Sequence, residues 1–123
     1  MIHVELPIKT VNTLNGTHAH WRTVSSMRKK QRTAAHAQTR YALIAHGIYV
    51  TKETPFDKLA TITMTRLSAG ELDDDGLRAA LKSVRDGIAD AFGVDDSRKS
   101  GLTFVYMQAK CRRGEYGVVV EIS

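Results

Sequence analysis

One cysteine, Cys111, occurs in 123 residues, which excludes an internal disulfide and a cysteine-rich zinc site and fits a reducing compartment. No apolar run approaches the roughly 18–20 residues that cross a bilayer. The start, Met1-Ile2-His3-Val4-Glu5, lacks the basic region and apolar stretch of a secretory signal, so a cytoplasmic protein without a membrane contact is expected. There is no Walker-type phosphate loop, no G-x-S-x-G and no G-x-G-x-x-G, which argues against nucleotide-driven motors, serine hydrolases and nicotinamide-dependent enzymes. Repeats, linkers and low-complexity tracts are missing too, so residues 1–123 read as one domain, able to bury roughly two-thirds of its unfolded surface.

What the chain has is positive charge, unevenly placed. The net charge is +5 and the isoelectric point is near 9.6, which suggests a polyanionic partner. Residues 71–96 run against that trend, with eight acids and three bases (Arg78, Lys82, Arg85) against five acids and fifteen bases elsewhere. Six of the eight acids form two clusters, Glu71-Leu72-Asp73-Asp74-Asp75 and Asp95-Asp96. Neighbouring carboxylates repel by about 3 kcal/mol per pair at ~5 Å and an effective dielectric near 20. A divalent cation is an economical way to relieve that repulsion.

The pattern predicts an α+β domain in the order β-α-β-α-β-β, a mixed sheet with two helices packed on it. Ile2 to Ile8 alternate and read as a strand, followed by a turn-rich loop through Lys9–Gly16 that continues to Arg22. A long helix runs from about Thr23 or Ser25 to His46, with Gly47 at its C-cap. Val24, Met27, Ala34, Ala37, Tyr41 and Ile44 form its expected apolar stripe, and Arg28, Arg32, His36 and Arg40 a cationic side. Lys58–Leu67 reads as a β-branched strand. A second amphipathic helix follows, Gly76 to about Phe92, with Leu77, Leu81, Val84, Ile88 and Ala91 on its buried face. Leu102–Arg112 and Tyr116–Ile122 read as a hairpin around Arg113-Gly114-Glu115.

If the acidic loop is extended, Asp73 and Asp75 project to one side with Cα atoms roughly 6.6–7 Å apart, able to bracket one ion. Mg²⁺, with Mn²⁺ as the other suitable hard cation, takes oxygen ligands and keeps several waters, so two or three carboxylates are a normal protein share. Asp96, or Asp95, is the candidate third ligand; an intervening helix of ~17 residues, ~25 Å long, means that tertiary folding or a partner subunit must bring it there. N-capping is the structural alternative for the cluster, although one Asp suffices for a cap. An EF-hand is excluded, because Arg78 stands where that loop requires glycine and Val84 where it requires glutamate.

Arg78, Lys82 and Arg85 lie on one face of the second helix, beginning beside the acidic loop, where they suit phosphodiester binding and cleavage as well as a solvated surface. Asn12, Asn15, His18, His20, Trp21 and Arg22 make a polar, aromatic loop in front of the cationic helix. His18 and His20 lack companion ligands for a metal; phosphate contact, base stacking by Trp21, and Trp21 as a core anchor all stay open. The candidate DNA contacts are therefore Asn15, His18, Trp21, Arg22, Arg28, Lys29, Arg32, Arg78 and Arg85.

Asp73-Asp74-Asp75-Gly76-Leu77, then a helix over Arg78–Phe92, then Gly93-Val94-Asp95-Asp96-Ser97 resembles the RusA family of Holliday junction resolvases, whose motif is Asp-x-Asp-Asn-Leu, a helix, and Asp-Asp-Ser or similar. The matched core is about twenty-five residues. The resemblance implies catalytic, metal-binding carboxylates at Asp73, Asp75 and Asp96, and Mg²⁺-dependent paired nicking of four-way DNA junctions by a homodimer, in recombination and repair. Gly76 departs from the family's Asn, and Ala79 stands at the family's lysine; Lys82, one turn further on roughly the same face, is the expected substitute. A catalytically silent, dimeric branched-DNA-binding module is the alternative.

Overall fold

A computed structural model describes residues 1–10, 21–51, 53–94, 101–112 and 114–123. The elements are β1 (Ile2–Leu6), α1 (Trp21–Ala45), β2 (Ala60–Ser68), α2 (Asp74–Ala91), β3 (Leu102–Lys110) and β4 (Gly117–Ile122). They form one four-stranded mixed sheet in the order β1-β4-β2-β3, with β2 parallel to β3 and antiparallel to β4, which is antiparallel to β1. The expected α+β class, element order and mixed sheet are all present.

The two-residue period of the strands sorts side chains onto faces. Ile62 lies opposite both Ile122 and Phe104, and Met64 opposite Val120 and Tyr106. These rows, with Val4 and Leu6 of β1, pack in one core with Leu77, Leu81, Val84 and Ile88 of α2 and Ala35 and Leu43 of α1. Thr61, Thr63 and Thr65 alternate with them along β2 and are exposed or half-buried. The helices thus cover one face of the sheet.

β3 and β4 do not form the expected hairpin, because β2 lies between them. The burial of the two strands explains the order. Val118, Val120 and Ile122 of β4 are buried, fitting an interior strand, whereas Leu102, Phe104 and Tyr106 of β3 are half-buried and Met107 is exposed, fitting an edge. The β2–α2–β3 unit supplies the crossover that a parallel pair requires.

Both helices end in a Schellman motif. Val94 N–H bonds Ala89 O and Gly93 N–H bonds Asp90 O, and Ile48 and Gly47 bond Leu43 and Ile44 in the same way; Gly93 and Gly47 supply the left-handed residue, at φ 69° and 78°. The stripe expected on α2 is buried throughout. That expected on α1 is not: Ala37, Tyr41 and Ile44 face solvent, and Gln31, Ala35, Thr39 and Leu43 are buried instead. The reason lies on α2, where a Cβ at Gly87 would come 2.3 Å from Arg32 O and 2.8 Å from Ala35 Cβ. The helices touch almost backbone to backbone, and small residues of α1 meet that demand better than Tyr41 or Ile44.

Candidate metal and nucleic-acid site

β2 delivers the chain to the acidic turn, and three contacts fix the turn before α2 begins. Arg66 continues the inward row of Ile62 and Met64 and is only 6% exposed. Its Nε donates to Thr10 Oγ1 (2.9 Å) and its Nη1 to Gly70 O (3.0 Å). Burial pushes the Arg66 guanidinium below its ordinary pKa, with Cys111 acting in the opposite direction. Gln108, paired with Arg66 across β2 and β3, grips Leu72 at both ends of one residue. Its Oε1 accepts from Leu72 N–H (3.1 Å) and its Nε2 donates to Leu72 O (2.6 Å).

Asp73 then caps α2: its Oδ1 accepts from Gly76 N–H at 2.7 Å and its carbonyl from Leu77 N–H at 2.8 Å. The helix starts at Asp74 rather than Gly76, so Asp74 and Asp75 occupy its first turn. The extended arrangement expected for Asp73 and Asp75 is thereby replaced by a cap residue and a first-turn residue, because the orphan N–H groups of the helix start recruit the turn. All three carboxylates are exposed, and among the described residues none forms an ion pair. No described group of three His, Cys, Asp or Glu residues could hold a metal ion. Asp95 and Asp96 lie outside the described residues.

The bases of α2 are held individually. The Arg78 guanidinium stacks on Tyr106 with its carbon 4.8 Å from the ring centroid. That of Arg85 stacks on Phe104 at 4.6 Å, and its Nη1 donates to Tyr106 Oη at 2.8 Å. Such stacking fixes the plane of an arginine and leaves its outer donors available. Lys82 is exposed and pairs with Asp86 (3.2 Å) one turn along. It lies seven residues beyond Asp75, about 10.5 Å along the axis, whereas Arg78 lies only about 4.5 Å along.

On α1, Arg28 and Lys29 are exposed, while Arg32 makes a two-pronged bond to Asp90 of α2 (Nε–Oδ2 2.7 Å, Nη2–Oδ1 2.9 Å). Arg32, Lys82, Asp86 and Asp90 line an open groove of about 580 Å³ that ends at Gly93 and Val94. A second groove, about 660 Å³, runs between Ile8, Lys9 and α1 from Ser26 to Ala34 and carries no carboxylate among the described residues. Trp21 and Arg22 belong to the first turn of α1 rather than to a loop; Asn12, Asn15, His18 and His20 lie outside the described residues.

Arg66, Gln108, Phe104 and Tyr106 escaped the sequence reading. Arg66 had a visible signal, an ionisable residue in the inward register of an otherwise apolar strand. The other three depend on β3 lying beside β2 at the edge, where the hairpin reading did not place it. No helix is long and apolar enough to cross a membrane among the described residues. Compared with known proteins, the chain matches no family model and no curated protein.

Proposed function

We propose that this protein is a divalent-metal-dependent, structure-selective DNA endonuclease that resolves four-way junctions by paired nicks, acting as a homodimer. The observation that carries the proposal is a turn of three exposed carboxylates, unpaired among the described residues, clamped by Gln108 and Arg66 at the root of a helix whose two arginines are stacked on aromatic rings. The donor set suits Mg²⁺ or Mn²⁺: it offers oxygen alone, the cap occupies one oxygen of Asp73, and Asp73, Asp74 and Asp75 are all exposed residues. When bound, the ion polarises a phosphoryl oxygen and lowers the pKa of water. Arg78, nearest the turn, holds the attacked phosphate, and Lys82 and Arg85 hold its neighbours.

Homodimerisation supplies more than a second nick. α2 has 18 residues, about 27 Å at 1.5 Å per residue, with the acidic turn at one end and Val94 at the other. Asp96 follows Val94 by two residues, which span at most about 7 Å. In this reading a second copy supplies the third carboxylate, and each metal centre is shared.

An end-labelled four-way junction and a matched duplex, each with Mg²⁺ or EDTA, test the activity; symmetric Mg²⁺-dependent nicks confined to the junction are expected, and none with Asp75→Asn. Mixing Asp75→Asn with Asp96→Asn tests the sharing. A heterodimer with shared centres regains one intact site, so nicking returns in the mixture. A mixture as inactive as its parents refutes the shared centre, and tight junction binding with no cut in any metal refutes the nuclease.

A second reading has its own support, the bond from Gly76 N–H to Asp73. In it the carboxylates only cap α2, and the protein is a basic module that binds branched DNA without cutting it.

A further inference from the structure

We infer that Arg66 and Gln108 are positioning residues of the acidic turn, fixing the backbone that carries Asp73 and Asp75; the inference rests on the metal reading above. An arginine only 6% exposed, with no ion pair among the described residues, is costly to bury. Core packing does not require it, since an apolar residue would continue the row of Ile62 and Met64. What the fork provides is reach: one nitrogen holds the hydroxyl of Thr10 and another the carbonyl of Gly70, joining the exit of β1 to the start of the turn. A lysine, with one nitrogen, cannot reproduce that geometry.

Gln108 acts two residues further on. By accepting from Leu72 N–H and donating to Leu72 O, its amide imitates a neighbouring strand and fixes both torsions of the residue before Asp73. The cap bond to Gly76 and the first helical bond from Leu77 then fix Asp73 itself. From Gly70 to Leu77 the backbone is held at successive points, and the held stretch is the one bearing the three carboxylates. An arriving cation then meets a turn whose backbone needs no further ordering. Outer partners of this kind typically account for about 10–100-fold in metal affinity.

The test uses the full chain and three variants, Gln108→Leu, Gln108→Glu and Arg66→Lys. Amide hydrogen exchange at Leu72 and Gly76 is followed by NMR, Mn²⁺ affinity by electron paramagnetic resonance, and folding by thermal melting. The positioning role predicts at least about tenfold faster exchange at Leu72 and Gly76, unchanged exchange from Leu81 to Ile88, and Mn²⁺ binding weakened about tenfold. Gln108→Glu discriminates: it adds a negative charge but loses the donor to Leu72 O, so positioning predicts weaker Mn²⁺ binding and simple electrostatics predicts tighter. Exchange like wild type in the variants, or tighter binding by Gln108→Glu, overturns the inference while the metal reading stands. Failure of the wild-type chain to bind Mn²⁺ saturably overturns both.

Discussion

Replacing Gly87 by alanine adds one methyl group to the interior of α2, and two effects of opposite sign compete. Alanine is better in a helix interior than glycine by about 1 kcal/mol. Against that, the new Cβ would lie 2.3 Å from the carbonyl oxygen of Arg32, 2.8 Å from Ala35 Cβ and 3.0 Å from His36 N. Two of these three atoms are backbone, so no rotamer change relieves them, and α1 must retreat by about 1 Å to restore ordinary contact. Overpacking of this kind costs about 1–3 kcal/mol, more when backbone moves. Separating the helices also stretches the Arg32–Asp90 pair, now at 2.7 and 2.9 Å, which is half-exposed and contributes at most about 1 kcal/mol. The net expectation is a loss of about 2 kcal/mol, which for a domain of this size lowers the melting temperature by roughly 6–12 °C. Thermal and urea denaturation would measure it, with Gly70→Ala as a control because a Cβ there meets nothing within 4 Å. A Gly87→Ala protein as stable as wild type, or more so, would refute the close helix crossing.

Asp73→Ser separates capping from chemistry: serine caps about as well as aspartate, so stability should stay within about 0.5 kcal/mol, whereas Asp73→Ala should lose about 1 kcal/mol. If both variants abolish Mg²⁺-dependent cutting, the carboxylate is chemical; if Asp73→Ser cuts normally, it only caps. Tyr106→Phe removes the acceptor of the 2.8 Å bond from Arg85 and should cost about 1 kcal/mol of stability. It should weaken junction binding without changing its salt dependence, because no charge is lost, whereas Arg85→Ala should reduce the salt slope by about one. Equal salt slopes for Arg85→Ala and wild type, in a binding titration over a salt series, would remove Arg85 from the DNA surface.

The second helix, its buried stripe, the strand β2 and the Gly47 stop were legible in the sequence because each depends on local periodicity, β-branched composition or a backbone torsion that favours glycine. The acidic cluster was legible for the same reason, as an excess of one residue type at a helix start. The face of α1 was not, since its position is set by Gly87 on another element, and the fit selects small and even polar residues such as Gln31 and Thr39. Gln31 is buried there because its amide donates to Lys9 O at 3.2 Å, a partner 22 residues away that periodicity cannot reveal. The order of the last two strands was misread for a related reason: a short connection usually means a hairpin, and only the burial demanded of Val118 and Val120 sends β4 to the far side of β2. Arg66 and Gln108 belong together only once β3 stands next to β2.

The placement of β4 also sets a schedule for the nascent chain. Among the described residues β1 has β4 as its only neighbour in the sheet, yet β1 is the first of the six elements in chain order and β4 the last. At about 5–20 residues synthesised per second, Ile2–Leu6 waits roughly 6–22 s for Gly117–Ile122. Until then its buried row, Ile2, Val4 and Leu6, has no strand beside it, and the helices have half a sheet to pack on. Such distant pairing slows folding and exposes an unpaired apolar strand to other chains, so yield in the cell should depend on chaperone supply more steeply than the stability of the finished domain would suggest.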